Sequence, residues 1–345
     1  MPSLLSVLKH NASLSAREAG FVAVFAGATS GIGLATLKVL TVSLVSPRFY
    51  VIGRSKASFA LHIAALRRSN PSVSIHFIET EIALLRNVIA VCENIIRREP
   101  HVDLLYMSPG SLAFGGPHFY LTIGNLDTEE RLDICFALSH YIRIRLIQGL
   151  MSSLLRANEP RIVSVLAGGH EKPLFTEGGD LGLRLEGNYT APRAVDQVTT
   201  IHSLALMFLA KAHPRISFLH VYPGWVSTSF LSNLLGSGGV LGRMVEAVVG
   251  PLYQMVAMSE DECGQRQAFN ATSERYPSRE MILRAKINVN DQALCHGPCS
   301  GFYLVLADGS TSSRNEVLET LTCDDDWMQK VMDYTENVVM EAGGR

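Results

Sequence analysis

The sequence lacks any apolar run long enough for a secretory signal or a membrane span. Residues 1–20 carry polar side chains every few positions, whereas a signal peptide needs an apolar stretch of roughly 7–15 residues. The most apolar later segment, residues 240–258, is interrupted by Arg243, Glu246 and Pro251, and a membrane helix needs about 20 apolar residues in succession. We therefore expect neither a signal peptide nor a membrane span.

Cysteine and net charge are also scarce. Six cysteines in 345 residues do not make a disulfide scaffold, and Cys295 and Cys299 have no second ligand pair at zinc spacing. We therefore expect a cytoplasmic protein with reduced cysteines and no bound metal. The 30 basic residues nearly balance the 32 acidic ones, which argues against a nucleic-acid partner. With 28 glycines and 14 prolines, the composition excludes collagen-like and low-complexity chains.

What the sequence does contain is a regular alternation of apolar strands and helices. Predicted strands cover residues 21–26, 49–52, 73–78, 102–107, 161–166 and 216–221, and predicted helices cover 34–45, 57–68, 82–98, 128–155 and 195–212. Strands that are apolar throughout are typical of a sheet buried on both faces, and helices between them imply parallel connections. The pattern predicts the α/β class, with a Rossmann-type doubly wound parallel sheet and helices on both of its faces.

We interpret the chain as one domain with a Rossmann core over residues 20–229 and a substrate lid with a C-terminal extension over residues 230–345. The less regular extension is predicted to contain a loop at 231–240, a helix or strand at 265–272, a strand at 302–306 and a closing helix at 324–339. Because residues 230–258 are rich in Leu, Met, Val and Phe, the lid indicates a hydrophobic small-molecule substrate.

A glycine-rich turn follows the first predicted strand directly. Its residues are Gly27, Thr29, Ser30, Gly31, Ile32 and Gly33. Three glycines at this spacing also arise by chance, but here they join an apolar strand to a helix, where glycine lets backbone N–H groups approach a pyrophosphate. The hydroxyls of Thr29 and Ser30 suit the same anion. The turn predicts a dinucleotide site, and a purely structural helix-entry turn is the alternative.

The end of the second predicted strand indicates which dinucleotide binds. Gly53 is followed by Arg54, Ser55 and Lys56. At this corner a carboxylate binds the ribose 2′-OH of NAD(H), whereas arginine pairs with the 2′-phosphate of NADP(H). Since no carboxylate stands among these residues, the sequence favours NADP(H), bound by Arg54 and Ser55. A solvated loop charge is the alternative interpretation of Arg54.

With the glycine turn and Arg54, further motifs resemble the short-chain dehydrogenase/reductase superfamily. In chain order they are Glu81 and Ile82 over the adenine, Ser108, Pro109 and Gly110 at the family's Asn-Ala-Gly, and Pro223, Gly224, Val226 and Thr228 in its nicotinamide loop. Stretches at 165–169, 188–190, 200–205 and 259–264 resemble a divergent fungal branch, many of whose members are associated with secondary metabolism. The resemblance implies that the residues of these motifs bind the cofactor, and it also implies a homo-oligomer built through the two long helices.

The catalytic half of the pattern is incomplete. The family uses a tyrosine acid/base, a lysine that lowers its pKa, a serine that polarises the substrate oxygen, and a helix asparagine. The serine position holds Ala167 and the asparagine position falls near Phe136, so both roles are vacant. Tyr189 stands for the tyrosine, with Arg193 at the lysine position, where it keeps the positive charge. The helix is predicted to begin near Pro192, so Tyr189 is either the proton donor or an aromatic lining the substrate pocket.

Three other side chains are candidates for proton transfer. Ser108 lies beside the cofactor, Tyr141 lies on the long helix, and His170 follows the fifth predicted strand at the edge where such sheets form their sites. A histidine has an ordinary pKa near 6.5 that suits this role. A lone loop histidine is, however, more often simply solvated.

Together these features predict an NADP(H)-dependent oxidoreductase. It would transfer a hydride to or from a carbonyl, alcohol or activated alkene of a hydrophobic, natural-product-like substrate. Two other hypotheses stay open. One is a non-redox isomerase, cyclase or dehydratase on the same scaffold, and the other is a catalytically silent NADP-binding regulator.

Overall fold

A computed structural model of the protein describes residues 1–110, 127–226, 257–285, 301–312, 314–323 and 327–343. Its centre is a seven-stranded sheet with the order β3-β2-β1-β4-β5-β6-β7, in which every pairing is parallel. The strands are β1 Val22–Ala26, β2 Arg48–Gly53, β3 Ser74–Glu79, β4 Leu104–Met107, β5 Arg161–Val165, β6 Ser217–Val221 and β7 Phe302–Val305. The predicted Rossmann-type sheet is confirmed.

Burial explains why these strands are apolar along their whole length. Every residue of β1, β4, β5, β6 and β7 is buried, because helices cover both faces of the sheet. Only β3, at one edge of the sheet, has mostly half-buried residues. The strand order reverses between β1 and β4, and in open α/β sheets ligands bind in the crevice at such a point.

The described helices are α1 Leu4–Ser13, α2 Gly31–Ser43, α3 Lys56–Ser69, α4 Leu85–Ile96, α5 Ile134–Phe136, α6 Ile142–Leu154, α7 Ala191–Ala212, α8 Glu260–Thr272, α9 Arg279–Ala285, α10 Glu316–Cys323 and α11 Trp327–Gly343. The pattern did not predict α1, which begins after a Ser3 cap. It packs on α8, where the Asn11 amide donates to the Gln265 carbonyl at 2.9 Å. The segment 265–272, left open between helix and strand, is helical.

Two long predicted helices have different starts in the structure. The helix predicted over 128–155 begins only at α5, because Asp133 caps it by accepting the Phe136 N–H at 3.0 Å; a π-helical turn, Ala137–Tyr141, then joins α5 to α6. Conversely, α7 begins at Ala191, four residues before the apolar pattern at 195–212. Thr190 caps it by accepting the Arg193 N–H, and proline occupies its first turn, as the sequence around Pro192 indicates.

The described parts of the C-terminal extension complete the sheet and its helical layers. Strand β7 pairs with β6, α8 packs closely on α2, and α11 packs on α7 and α4. A Cβ on Gly264 of α8 would lie 2.8 Å from the Ala35 carbonyl carbon, so glycine permits the close helix contact. Of the predicted lid at residues 230–258, residues 230–256 lie outside the described residues.

The core between the sheet and α6, α7 and α11 contains three fully buried histidines: His140, His202 and His220. His140 Nε2 is 2.7 Å from the hydroxyl of Thr335 on α11, and His202 Nε2 is 2.7 Å from the hydroxyl of Ser164 on β5. Burial lowers the pKa of His140 and of His220 to about 3 and the pKa of His202 well below 6.5. All three are therefore neutral at pH 7.

Because these histidines have lowered pKa values, we expect the free energy of unfolding to depend on pH. In the unfolded chain they bind protons near pH 6.5, whereas in the folded chain they bind them only at much lower pH. The free energy of unfolding is therefore unaffected by their protonation above pH 6.5. It decreases as the pH falls from 6.5 toward 3, by up to about 1.4 kcal/mol per histidine and pH unit. Urea unfolding between pH 7 and pH 5, compared between wild type and a variant that lacks one of these rings, isolates the contribution of that ring to the slope.

His220 Nδ1 is 2.6 Å from the Ser203 hydroxyl. His220→Asn provides the test variant, because asparagine keeps a hydrogen-bonding group beside Ser203 and does not titrate. We expect it to reduce the slope, whereas His62→Gln, at a half-exposed position on α3, leaves the slope unchanged. An undiminished slope in His220→Asn would contradict the neutral, buried state of this ring.

Candidate active site

The glycine turn lies at the point where the strand order reverses. Gly27 and Gly31 have φ values of +86° and +52°, which side-chain-bearing residues rarely adopt. A Cβ on Gly27 would lie 2.6 Å from the carbonyl carbon of Ser108, and a Cβ on Gly33 would lie 2.6 Å from the Ser108 hydroxyl. The turn after β1 therefore touches the loop after β4 directly, and only glycine fits at the contact.

The start of α2 is available to an anion. Ser30 occupies the N-cap position, but its side chain makes no capping hydrogen bond, so it does not cover the N–H groups of the first turn. Helix N-termini bind phosphate through such N–H groups and the helix dipole. Ile32 packs against the core beneath the turn, which holds the helix start in place.

The loop after β4 is tied to the glycine turn. The Ser108 hydroxyl donates to the Gly27 carbonyl at 3.0 Å, so in this structure its proton is used to hold the two loops together. Pro109 follows against Gly27, and a Cβ on Gly110 would meet no described atom within 4 Å. The role of Ser108 in proton transfer stays a prediction.

The corner at the end of β2 carries an exposed cation. Arg54 is exposed and forms no ion pair within the described ranges, while Ser55 caps α3 by accepting the Ser58 N–H at 3.2 Å. A Cβ on Gly53 would lie 2.5 Å from the Thr29 methyl carbon, so this corner adjoins the glycine turn. The fold also brings a carboxylate here that the sequence pattern missed: Glu79, at the end of β3, accepts the Lys56 N–H at 3.1 Å.

Two further predicted cofactor segments follow β3 and β6 at the same edge of the sheet. Glu81 accepts the Ala83 N–H at 3.1 Å, and Ile82 is buried in the core. After β6, Gly224 has a φ of +76°. Pro223 precedes it, and Val226, which is buried and bridges to Met258, follows; Thr228 lies outside the described residues.

Tyr189 lies on the loop just before α7, and its phenol faces the carboxylate of Asp133. The Oδ2 atom of Asp133 is buried and has no hydrogen-bond partner in the described part of the chain, although the Tyr189 hydroxyl is close enough to interact with it. Burial, and then the charge of Asp133, raise the pKa of Tyr189 far above its ordinary value. In the family pattern a cation lies beside the tyrosine and lowers this pKa. Here the neighbouring charge is negative, and it raises the pKa.

The other candidate catalytic residues occupy separate environments. Arg193 donates to the Asn188 carbonyl at 2.5 Å and stacks 4.4 Å from the ring centre of Phe175. Tyr141 is buried, with its hydroxyl 3.0 Å from the Tyr334 hydroxyl, and burial raises its pKa well above 10. His170 is exposed, and its ring meets Tyr222 edge-on at 4.2 Å. None of these contacts joins two of the predicted catalytic residues.

Sequence reasoning missed Asp133, and it considered Arg143 only as one of several polar residues on the long helix, of which it preferred Tyr141. An aspartate directly before the apolar run Ile134–Phe136 is a helix-start signal, so the sequence could have indicated Asp133 as a cap. Nothing in the sequence indicates that the guanidinium of Arg143 turns inward and reaches the carbonyl of Pro109 at 2.5 Å. That contact depends on how α6 packs against the sheet.

The described residues contain no group of three His, Cys, Asp or Glu side chains arranged to hold a metal ion, and Cys295 and Cys299 lie outside them. Among the helices in these ranges, none combines the length and apolarity needed to cross a membrane. The four cysteines recorded there, Cys92, Cys135, Cys263 and Cys323, are free thiols.

Asp133→Asn tests the Asp133–Tyr189 pair. Asparagine keeps an oxygen that can cap α5 but removes the negative charge, so we expect the pKa of Tyr189 to fall by roughly one pH unit or more. The tyrosinate absorbance of each protein, minus that of the same protein with Tyr189→Phe, isolates this phenol in a pH titration. Asp196→Asn, at an exposed position on α7, is the control. An unchanged pKa in Asp133→Asn would show that the two groups do not interact.

The sequence is similar over nearly its full length to fungal enzymes, although no protein-family profile matches it. It is 32% identical to an oxidoreductase of Emericella nidulans, covering 99% of each chain. It is 35% identical to the NmrA-like family domain-containing oxidoreductase notO of an Aspergillus species, covering 93% of this chain and 90% of that protein. The short-chain dehydrogenase/reductase SAT2 of Stachybotrys chartarum is 28% identical over 79% of this chain and 78% of its own.

Solved structures share the fold at much lower sequence identity. The L-sorbose reductase of Gluconobacter frateurii, determined in complex with NADPH and L-sorbose, superimposes with a TM-score of 0.54 at 18% identity, covering 74% of this chain and 90% of that one. With the parallel sheet, the glycine turn and the full-length fungal relatives, this likeness places the protein: the chain belongs to a family of fungal oxidoreductases of the short-chain dehydrogenase/reductase type.

Proposed function

We propose that the protein is an NADP(H)-dependent oxidoreductase that transfers a hydride to or from a carbonyl, alcohol or activated alkene of a hydrophobic, natural-product-like substrate. The observation that carries this proposal is the contact of the Gly27–Gly33 turn with the Ser108–Gly110 loop. It lies where the strand order reverses, which is the place where this class of sheet binds dinucleotides.

The residues around the crevice fit such a cofactor. The turn and the start of α2 would hold the pyrophosphate through backbone N–H groups. Arg54, which is exposed and forms no ion pair within the described ranges, would bind the 2′-phosphate. Pro223, Gly224 and Val226 would border the nicotinamide, and the bound cofactor would donate or accept the hydride. The NADPH complex of the L-sorbose reductase, which has the same fold, supports this choice of cofactor.

Tyr189 and Asp133 would manage the proton that accompanies the hydride. A phenol with a raised pKa remains protonated at pH 7, so Tyr189 is suited to donate to a developing alkoxide rather than to act as a base. Asp133, which is buried beside it and whose Oδ2 lacks a hydrogen-bond partner among the described residues, would keep the phenol protonated through its negative charge until the substrate oxygen takes the proton.

The same pair favours one alternative, a non-redox isomerase, cyclase or dehydratase. A carboxylate and a phenol move protons without any hydride, and Ala167 and Phe136 leave two of the family's catalytic positions without a hydrogen-bonding side chain. The two proposals differ in whether the nicotinamide changes its redox state during turnover.

Location and assembly stay proposals of the same kind. Free thiols at all four described cysteines suit the cytoplasm, where thiols are kept reduced. A homo-oligomer built through the two long helices would have to use the surface of α7 that its own chain leaves uncovered. Helix α11 of the same chain already packs against α7, with Thr335 bonded to His140.

Arg54→Ala tests the choice of cofactor. Loss of a charge-assisted phosphate contact should weaken NADPH binding about ten-fold or more and leave NADH binding within about two-fold. Titration calorimetry with both cofactors measures the difference. Arg68→Ala, which removes an exposed cation from the other end of α3, should change neither affinity. Equal weakening of both cofactors by Arg54→Ala would rule out the 2′-phosphate contact.

Turnover distinguishes redox from non-redox chemistry. With a substrate found by screening hydrophobic carbonyl compounds, the redox proposal requires reduced-nicotinamide absorbance to disappear one-for-one with product. Tyr189→Phe should then lower turnover about 100-fold or more without changing NADPH affinity, whereas Tyr222→Phe, another tyrosine at this sheet edge, should retain activity. Product formed at constant absorbance would favour the non-redox alternative, and near-normal turnover by Tyr189→Phe would reject its role.

A further inference from the structure

Arg143, on α6, is a buried cation whose hydrogen-bond partners among the described residues are all neutral. It is 1% exposed. Its Nε donates to the Leu138 carbonyl at 3.0 Å, and its Nη1 donates to the Ser164 hydroxyl at 2.6 Å and to the Val165 carbonyl at 2.9 Å. Its Nη2 donates to the Pro109 carbonyl at 2.5 Å. The guanidinium therefore joins the ends of β4 and β5.

No carboxylate in the described ranges lies within ion-pair distance of Arg143, and residues 111–126 contain neither aspartate nor glutamate. Burial lowers the pKa of Arg143 to about 9, so it is still charged at pH 7. The buried histidines beside it are neutral, partly because its charge lowers their pKa values. No described carboxylate neutralises this cation, and hydrogen bonds to neutral groups leave its charge in place, so its field acts on any charge that comes near it.

The place of Arg143 in the fold shows which part of a bound cofactor would lie nearest to its charge. Pro109, whose carbonyl it binds, belongs to the loop that touches the Gly27 turn. Val165, its other carbonyl partner at the sheet edge, is the last residue of β5. The guanidinium thus lies beneath the crevice at which the strand order reverses, on the side away from Arg54. A dinucleotide bound across this crevice would place its nicotinamide end above Arg143.

We propose that Arg143 is an internal counter-charge for the cofactor that makes the site bind the reduced nicotinamide in preference to the oxidised one. This inference rests on the proposed NADP(H) function. Both cofactor forms carry the same phosphates, which the cation attracts equally. The oxidised ring alone bears a positive charge, and the nearby guanidinium repels it.

The consequence is a direction for the binding cycle. A site that binds NADPH more tightly than NADP⁺ fills with reduced cofactor and releases the oxidised form readily, which suits a reductase whose turnover depends on product release. Arg143 acts here as a positioning and electrostatic residue, since its hydrogen bonds go to the loops that border the crevice rather than to reacting atoms.

The test compares the dissociation constants of NADPH and NADP⁺ in wild type, Arg143→Gln and Arg143→Lys by titration calorimetry. Glutamine keeps a hydrogen-bonding side chain without the charge, and lysine keeps the charge. We expect Arg143→Gln to lower the ratio Kd(NADP⁺)/Kd(NADPH) about three-fold or more, and Arg143→Lys to stay near wild type. A purely structural role would weaken both cofactors equally, and an unchanged ratio in Arg143→Gln would overturn the inference.

A second pair of variants decides the question if Arg143→Gln does not fold. Ser164→Asp places a carboxylate next to the guanidinium and neutralises it, whereas Ser164→Asn has nearly the same shape without charge. The ratio should fall in Ser164→Asp and not in Ser164→Asn, and equal ratios would overturn the inference. Wild-type protein that binds neither NADPH nor NADP⁺ would instead overturn the proposed function and this inference with it.

Discussion

The rest of the site depends on one steric constraint, the close contact of the turn after β1 with the loop after β4. Cβ atoms on Gly27 and Gly33 would both collide with Ser108, so the two loops meet only where side chains are absent. The Ser108 hydroxyl then ties them together. This contact determines the position of the start of α2, and it also places the Pro109 carbonyl within reach of Arg143. A larger residue at either glycine would therefore disturb both the anion-binding turn and the electrostatics beneath it.

The charge beside the tyrosine differs in sign from the charge that the short-chain dehydrogenase/reductase pattern places there. A tyrosine whose pKa is lowered by a cation becomes a base, whereas Tyr189 faces the carboxylate of Asp133 and keeps its proton. The positive charge lies instead under the loops, on Arg143, among histidines that burial keeps neutral. Under the two proposals, Tyr189 would act as a protonated donor and the site would fill with reduced cofactor.

Helices and strands whose signals lie within a few residues of each other could be predicted from the sequence. Contacts between residues far apart in the chain could not. The strands follow from apolar runs, and α7 follows from Pro192 and its cap, because these signals lie within a few residues of each other. The bond between His140 and Thr335 joins residues 195 positions apart, and no local pattern encodes it. Likewise, Glu79 reaches the corner beside Arg54 only because β3 pairs with β2.

The sequence by itself determined the fold class, the parallel sheet and the place of the glycine turn, because hydrophobic periodicity and glycine's backbone freedom act locally. It also determined that Ala167 and Phe136 cannot serve as hydrogen-bonding catalytic groups. Only the tertiary structure decided which charges face the site. Asp133 meets Tyr189, and Arg143 turns inward to Pro109, because the packing of α5, α6 and α7 against the sheet brings together side chains that are far apart in the chain, and buried charges interact strongly over such short distances.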